Sequence, residues 1–552
     1  MNRRILALIL ACLMAFTLLA GCGNSETAAP SGGGSSGGSS GGSSSGGSSS
    51  GGSTSSGGGS SAAPAGDEDE EYDDEDIVEL NMWGMGLFGQ DGLQEVQDAI
   101  NEIAEKEIGV RVNLTIMDPG SYAQQTSLMF SSQESVDIMM TTPIQSAGFS
   151  SLTSQKELLP LNDLLPEYAP ETYEMLGHLV DGTTVDGNIY ALTCYRLLNS
   201  NCYAIMRKEI LDDLGLTEKA ANCKTWTEFE EILQAVKDSN YDGGKVSACI
   251  ANNDNDGTVI TVEYAYVGND DWSLNRGYDT LGDTYKIISI NEDTDTVEDY
   301  FESEEYYKML KLMTDWYKKG LVYRDAATSD ETGDNLLKSN VTFATVVNSE
   351  TGIEANRLST VGFEVICPMI TREPLSTGST TKFCWAIPVT ASEPEAAMKF
   401  INLMYTNADV ENLFTWGIEG RDYELLDNGE VRVKADAVYH SNDFLWGNQF
   451  LAYPAEGQGS DFRAQAKAEM DSAPYSKYFG CAVNTEPISN TLTAVYNVIQ
   501  QYKAGYESGS VPVPDTYEEF LQTDFVKALK SAGVDDVIAY YQTQLDAWMA
   551  AQ

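Results

Sequence analysis

Histidine is nearly absent from this 552-residue sequence, in which only His178 and His440 occur. A metal site built from several imidazoles is therefore nearly excluded, and a nucleophile triad would have to use one of these two residues. Basic residues are also scarce, since 33 Lys and Arg stand against 84 Asp and Glu and give a formal net charge of −51. A polyanion repels phosphates, so nucleic acids and anionic lipid surfaces are poor partners.

Familiar catalytic motifs are missing as well. The sequence has no P-loop, no H-E-x-x-H and no kinase motif set. None of the nine cysteines forms a C-x-x-C, which excludes a zinc ribbon and a thioredoxin-type site. Setting aside Cys12 and Cys22 leaves seven cysteines, so at least one is unpaired. Paired carboxylates for glycoside hydrolysis stay open, because 84 acidic side chains guarantee many pairs.

The N-terminal segment is typical of an export signal. Residues 1–4 carry two arginines, and residues 5–19 form an apolar run that is too short to span a bilayer comfortably. The run leads into Leu19-Ala20-Gly21-Cys22, which resembles the lipobox of bacterial lipoproteins. The resemblance implies that residues 1–22 are a signal peptide and that Cys22 carries lipid. An ordinary signal peptide with a chance cysteine is the alternative. Residues 23–76, rich in Ser and Gly and then acidic, predict a disordered linker.

From residue 77 onward, apolar periodicity predicts an α/β fold. Residues 77–83 and 110–116 read as strands around a helix that starts at Asp91, with Asp91 and Gln94 as a capping box. Such a βαβ unit predicts parallel strands. Further strands are predicted at 137–140 and 341–347, helices after Thr225 and Ser392, and a helical tail over 489–503, 516–530 and 534–550.

Short stretches in a fixed order carry a resemblance to one family. Residues 186–192 (DGNIYAL), 203–208 (YAIMRK), 225–229 (TWTEF) and 385–388 (WAIP) resemble stretches of family 1 extracellular solute-binding proteins of ABC transporters. Residues 417–424 (GIEGRDYE) resemble a signature of the LipO-like lipoprotein branch, and residues 478–552 resemble its C-terminal DUF3502 region. Thr193 departs from the pattern, because a proline is usual after the YAL stretch.

The resemblance implies a two-lobed, periplasmic-binding-protein-like clamshell of type II with a helical C-terminal region. Lobe 1 would be 77–200 and 378–440, and lobe 2 would be 201–377 and 441–552, with crossings near 193–203, 375–383 and 440. The protein would be a non-enzymatic, monomeric lipoprotein on the extracytoplasmic face of the cell membrane. It would capture a small solute, with an oligosaccharide expected, and deliver it to an ABC permease. The alternatives are a surface glycan-degrading enzyme and the binding module of a sensory system.

Candidate ligand residues follow from the expected cleft. Ligands of open α/β sheets lie at the carboxyl ends of strands, and sugars need flat aromatic platforms together with amide or hydroxyl side chains. For each candidate, core packing or a turn is the alternative role. The predicted ligand residues are Trp83, Thr141, Thr142, Tyr203, Tyr266, Trp272, Asn348, Trp446 and Asn448.

One loop has the spacing of a calcium site. Asn252, Asp254, Asp256 and Glu263 occupy positions 1, 3, 5 and 12 of an EF-hand-like loop with Gly257 at position 6. Asn252 is a weaker ligand than Asp, and the preceding residues read as a strand rather than a helix. An ordinary polar turn is the favoured interpretation, and no other cofactor is expected.

Overall fold

The computed structural model describes residues 77–86, 91–198, 201–244, 247–250, 279–283, 285–329, 331–349, 351–371 and 374–552. The strands of this part are β1 (Val78–Met85), β2 (Val110–Met117), β3 (Ile138–Thr141), β4 (Thr184–Val185), β5 (Asn188–Ile189), β6 (Leu192–Thr193), β7 (Asn201–Arg207), β8 (Ser247–Ile250), β9 (Ile288–Asn291), β10 (Thr296–Asp299), β11 (Thr342–Ser349), β12 (Val365–Ile366), β13 (Met369–Thr371), β14 (Cys384–Ala386), β15 (Tyr423–Leu425) and β16 (Val431–Val433).

The helices of the same part are α1 (Leu93–Ile108), α2 (Pro119–Ser132), α3 (Phe149–Ser154), α4 (Leu164–Tyr168), α5 (Pro170–Leu176), α6 (Lys208–Leu214), α7 (Thr217–Ala221), α8 (Trp226–Asp238), α9 (Glu304–Lys319), α10 (Gly333–Lys338), α11 (Ile353–Val361), α12 (Thr377–Thr381), α13 (Pro394–Thr406), α14 (Ala408–Trp416), α15 (Phe462–Asp471), α16 (Ser489–Glu507), α17 (Tyr517–Phe520), α18 (Asp524–Ala532) and α19 (Val534–Ala551).

The first sheet has the strand order β2-β1-β3-β14-β6. Strands β1, β2 and β3 are parallel, as the βαβ pattern predicts, and β14 runs antiparallel to both of its neighbours. Helix α1 ends at Gly109, whose left-handed backbone (φ 65°) is the conformation that glycine adopts most easily. Helices α1 and α13 cover this sheet with one continuous apolar core.

The outer edge of β2 is occupied by side chains of α1. The Asn101 amide donates to the Val112 carbonyl (3.1 Å) and accepts from the Val112 N–H (2.8 Å). The Gln97 side chain accepts from the Leu114 N–H at 2.7 Å. Asn101 is itself buried, so these bonds satisfy polar groups of the strand that would otherwise face away from the sheet.

The second sheet has the order β12-β7-β11-β8, and β13 also pairs with β7. It is covered on both faces by separate apolar clusters. Helix α8 begins as predicted, because the Thr225 hydroxyl accepts from the Glu228 N–H at 3.1 Å. The rings of Trp226 and Phe229 meet Trp316 of α9 at centroid distances of 6.1 and 6.0 Å.

The C-terminal helices complete the second core rather than forming a core of their own. Helices α16, α18 and α19 bury Val495, Phe525 and Tyr541 in the cluster that also holds α8 and α9. The predicted helix over 516–530 is two helices, because Thr523 caps a new one by accepting from the Val526 N–H.

Two predicted helix caps are wrong. Asp91 makes no cap, since α1 begins after Gly92 with no side-chain hydrogen bond. Ser392 does not cap α13, because the buried Asp137 carboxylate accepts from both its N–H (2.9 Å) and its hydroxyl (3.0 Å). Asp137 also accepts from the Asn81 N–H at 2.9 Å and thereby ties β1 to the start of α13.

Within the described residues, the chain passes between the two cores at three places. The first lies between Leu198 of the first core and Cys202 of the second, and another lies between Ile370 and Leu375. The expected crossing near 440 is wrong. Trp446, Met470 and Ala473 still belong to the first core, so the assignment of 441–473 to the second lobe is corrected as well.

The third crossing lies between Ala473 and Tyr478 and is bonded to the second. The Leu375 N–H donates to the Pro474 carbonyl (2.9 Å), and the Ser476 N–H donates to the Leu375 carbonyl (2.8 Å). The Tyr478 hydroxyl then donates to Asp295 at 2.9 Å, in the turn between β9 and β10. Two of the crossings therefore form a short ribbon.

Six cysteines of the described part are buried, namely Cys194, Cys202, Cys223, Cys367, Cys384 and Cys481. Loss of solvent raises the pKa of the Cys384 thiol to about 12, so the reactive thiolate hardly forms there at neutral pH. The six cysteines pack as small apolar side chains.

Candidate functional site

Three of the predicted ligand residues lie at the carboxyl edge of the first sheet. Trp83 stands near the end of β1 and is 8% exposed, while Thr141 at the end of β3 and Thr142 are completely buried. The Thr142 N–H donates to the Ala147 carbonyl (2.9 Å), and its hydroxyl accepts from the Ile144 N–H (3.3 Å). Thr142 therefore closes a turn, and ligand contact by Trp83 stays a prediction.

The second sheet carries Tyr203 on β7 and Asn348 on β11. In the register of these antiparallel strands, Val347 faces Tyr203 and Asn348 faces Cys202. Directly opposed residues share one face of a sheet, and consecutive residues point to opposite faces. Tyr203 and Asn348 therefore point to opposite sides, so the structure does not bring both to one site. Asn348 is the half-buried member and lies at the end of the sheet that adjoins the first crossing.

Trp446 is a core residue rather than an open platform. It is 1% exposed, and its ring stacks on Phe414 at 4.3 Å and on Trp385 at 5.8 Å between centroids. A sugar platform needs a ring face that solvent can reach, and Trp446 offers none here. We therefore no longer propose it as a ligand residue.

Asn448 is a structural residue for the same region. Its amide donates to the Tyr405 carbonyl at 3.0 Å, and its N–H donates to the Glu411 carboxyl group at 3.0 Å. Tyr195 brackets this segment, since its N–H donates to the Gly447 carbonyl and its carbonyl accepts from the Gln449 N–H, both at 2.9 Å. The Asn448 amide is therefore engaged within the first core, where it donates to Tyr405 and accepts from the Phe450 N–H.

A buried carboxyl group, that of Glu411, holds the segment around Asn448. Glu411 is completely buried on α14 and accepts from the Thr415 hydroxyl (3.3 Å) as well as from Asn448. Loss of solvent raises the pKa of Glu411 to about 8, although the Asn448 bond acts in the opposite direction. Glu411 is therefore a protonated structural side chain at neutral pH.

A glycine pattern begins at the end of β1. Residues 84–89 read GMGLFG, the spacing of a dinucleotide-binding loop. In the structure Gly84 and Met85 are still part of β1, and α1 begins only at Leu93. Gly84 has a packing role, because a Cβ there would lie 3.0 Å from Ile116 and 3.2 Å from Trp385. Gly84 and Met85 therefore lie within a strand rather than in the strand-to-helix turn of a pyrophosphate site.

Aromatic side chains that sequence reasoning missed gather at the crossings. They form edge-on or tilted pairs, with centroid distances of 5.2 Å for Tyr195 and Phe450, 5.5 Å for Phe383 and Phe444, and 4.8 Å for Tyr475 and Phe479. Tyr475 is 47% exposed and the Arg196 guanidinium lies 5.7 Å from the Phe383 ring. Phe and Tyr are too common in this sequence for composition to identify these residues as site residues. Only their position beside a crossing indicates a role.

Two contacts link elements of the two cores next to this cluster. The Asn201 amide at the start of β7 donates to Glu469 of α15 at 2.6 Å. Phe462 of α15 is buried against Gly352, where an added Cβ would lie 2.6 Å from the ring. Asn348 lies four residues before Gly352, so this contact is close to the predicted site.

Other predicted residues lie outside the described part of the chain, namely Cys22, Asn252, Asp254, Asp256, Glu263, Tyr266 and Trp272. Among the described residues, no group of three or more His, Cys, Asp or Glu could hold a metal ion. The helices described here include none that is long and apolar enough to span a membrane.

Two surface depressions lie on the described part of the chain. One of about 510 Å³ is lined by Glu419, Gly420 and residues 424–426, and one of about 460 Å³ lies between α7 and α8. Both are open and ringed by glutamates, and neither contains a residue of the predicted site. The region of the crossings is therefore the better candidate for a ligand site, because its aromatic rings and strand ends supply the chemistry that a sugar needs.

Comparison with known proteins agrees with this arrangement. Residues 98–418 match the family model described as bacterial extracellular solute-binding protein, and residues 477–550 match a domain of unknown function, DUF3502. A carbohydrate ABC transporter substrate-binding protein of Streptococcus pneumoniae is 23% identical over 479 residues, which cover 83% of this chain and 89% of that protein.

Solved structures share the fold. The N-glycan transport solute-binding protein of Streptococcus pneumoniae has a TM-score of 0.71 at 21% identity, covering 86% of this chain and 99% of that one. An extracellular solute-binding protein of Bifidobacterium longum subsp. infantis has a TM-score of 0.62 at 16% identity, with coverage of 86% and 99%. The fold is thus the two-lobed α/β fold of solute-binding proteins, as predicted.

Proposed function

Because the chain belongs to the bacterial extracellular solute-binding protein family, we propose that it captures an oligosaccharide and delivers it to an ABC importer. The similar pneumococcal proteins are a carbohydrate transporter component and an N-glycan transport protein that was crystallised with Man1GlcNAc and with Man5GlcNAc. The observation in this chain that supports the proposal best is the aromatic cluster at the crossings, next to the carboxyl edge of the first sheet.

Closure of the two lobes is the proposed mechanism of capture. A ligand that contacts both lobes favours the closed form by its extra contacts, so binding shifts the population toward closure. We propose that Trp83 serves the first lobe and Asn348 the second, while Tyr475 and Phe383 contribute ring faces at the hinge. The two-segment ribbon of Leu375 and Pro474–Ser476 would bend as one unit.

Lobe boundaries are part of the proposal. The first lobe would comprise 77–200 and 378–473, and the second 201–377 and 474–552. The DUF3502-like region would then begin where the third crossing ends and would form the last part of the second lobe. It would contain no separate ligand site. Its apolar residues are already used in the second core.

Attachment and partners follow from the N-terminal sequence and the family. We propose that Cys22 is acylated, that residues 23–76 tether the lobes to the extracytoplasmic face of the membrane, and that an ABC permease is the partner. Under this proposal the protein is a monomer and turns over no substrate.

Calorimetry on the full chain tests the proposal, with neutral oligosaccharides such as Man5GlcNAc and kestose as probes. We expect binding that changes little between low and high salt, because a neutral sugar has no charge to screen. X-ray scattering should give a smaller radius of gyration at saturation. Hydrolysis of the bound sugar would indicate the degrading enzyme instead, and an unchanged scattering curve at saturation would contradict closure.

A further inference from the structure

The GIEGRDYE motif at residues 417–424 is built around a buried carboxylate. Asp422 is completely buried and accepts five hydrogen bonds. The donors are the Ile418 N–H (2.9 Å), the Val438 and Tyr439 N–H groups (both 3.2 Å) and two nitrogens of Arg421 (2.9 and 2.6 Å). Asp422 therefore joins the end of α14 to the segment after β16.

Gly417 makes room for this carboxylate. Its φ is +82°, a region that other residues avoid, and a Cβ there would lie 2.4 Å from the Asp422 carboxylate. Although burial alone would raise it, the hydrogen bonds hold the pKa of Asp422 below its ordinary value. Asp422 is thus a fixed anion to which Arg421 is bound.

Arg421 extends from this anchor to the start of α1. Its Nη2 donates to the Gly92 carbonyl at 3.2 Å, and its Nη1 lies 3.4 Å from the Glu95 carboxylate in the first turn. The Gly92 N–H donates in turn to the Val438 carbonyl at 3.3 Å. Two of the partners of Asp422, Arg421 and Val438, therefore also hold Gly92, the residue that precedes α1.

The approach at this point is close. A Cβ on Gly92 would lie 2.6 Å from Arg421 Nη2 and 2.8 Å from a Val438 methyl group. Helix α1 follows β1 directly in the chain, so its first turn lies at the carboxyl edge of the first sheet, where Trp83 stands. The first turn of α1 therefore lies at the same end of the first sheet as Trp83.

We propose that Arg421 is a positioning residue for ligand capture, which holds the start of α1 and the adjoining sheet edge in their binding arrangement. This inference rests on the function proposed above and assigns a role to a motif that no ligand needs to touch. The competing role for Arg421 is neutralisation of the buried Asp422 charge alone.

Arg421→Lys separates the two roles. Lysine keeps a cation beside Asp422, but a single ammonium group replaces the planar fork that bonds Asp422 and Gly92 together. If Arg421 only balances charge, lysine restores both stability and ligand affinity. If Arg421 positions α1, lysine restores the denaturation midpoint while affinity stays as low as in Arg421→Gln.

The experiment uses the full chain with Arg421→Lys, Arg421→Gln and a matched control, Arg432→Gln. Arg432 lies on β16 and pairs with Glu456 at an exposed site. Hydrogen exchange of the segment 92–97 needs no ligand, and we expect it to rise about tenfold in both Arg421 variants and not in the control. Unchanged exchange in Arg421→Gln would overturn the positioning role.

Affinity for Man5GlcNAc and kestose forms the second arm. We expect roughly tenfold weaker binding in both Arg421 variants. If hydrogen exchange of residues 92–97 rises in the Arg421 variants while their sugar affinity stays at the wild-type value, the proposed role of Arg421 in ligand capture is overturned. A wild-type chain that binds neither sugar would count against the proposed ligand class, and the exchange arm would still decide whether Arg421 positions α1.

Discussion

Substitution of Trp446 distinguishes a core residue from a sugar platform. Its ring is 1% exposed and stacked between Phe414 and Trp385. Truncating a buried tryptophan to alanine costs about 3–5 kcal/mol, because the lost contacts leave a cavity. A domain is stable by only about 5–15 kcal/mol, so Trp446→Ala should remove at least about a fifth of the stability of the first lobe.

A milder variant serves as the matched control. Phenylalanine at 446 keeps a ring against Phe414, and Trp446 Nε1 has no hydrogen-bond partner among the described residues, so no bond is lost. We expect Trp446→Phe to cost about 1–2 kcal/mol.

Guanidinium unfolding followed by far-UV circular dichroism measures both variants, since removing a tryptophan alters the fluorescence signal itself. We expect a large drop in the midpoint for alanine and a small one for phenylalanine. A wild-type midpoint in Trp446→Ala, combined with lost binding of Man5GlcNAc, would refute the packing argument and restore Trp446 as a platform.

Three further predictions concern other parts of the chain. The folded pKa of Glu411, about 8, lies above its ordinary value of 4.5, so the folded state binds the extra proton and stability falls as pH rises from 4.5 to 8. The unsubstituted protein should lose up to about 2.7 kcal/mol of stability between pH 5.5 and 7.5, and Glu411→Gln should abolish this loss. Urea unfolding at both pH values measures it. Cys22→Ala should release the protein from the membrane fraction or block its maturation, and continued membrane association without lipid in mass spectrometry would contradict anchoring. Asp137→Asn should lower stability by about 1–3 kcal/mol because an amide donor would face backbone N–H groups, whereas the exposed Asp163→Asn should not.

Local sequence signals predicted the elements whose causes are local. Thr225 and Gly109 act within one helical turn, and the first βαβ unit follows from periodicity alone. Ser392 looks like a helix cap by the same rules, yet Asp137 captures it from 255 residues away. No pattern within a short window can reveal such a partner.

Site residues were harder to predict for a related reason. Trp446 is flanked by Gly447 and Asn448, a polar setting that favours a surface position, but its ring is enclosed by Phe414 and Trp385 from other elements. The family resemblance implies a third crossing near 440, and the apolar pattern could not correct it because it does not tell which core a segment joins. Tyr475 and Phe383 gain their interest only from lying beside that crossing.

The bonds from Asn101 and Gln97 to the outer edge of β2 have a consequence for the behaviour of many copies together. An exposed strand edge is a template onto which a strand of another molecule can add, and this addition begins aggregation. At Val112 and Leu114 the template is already filled by side chains of the same molecule. Folded copies of the protein can therefore be present at high density without offering these positions to a neighbour.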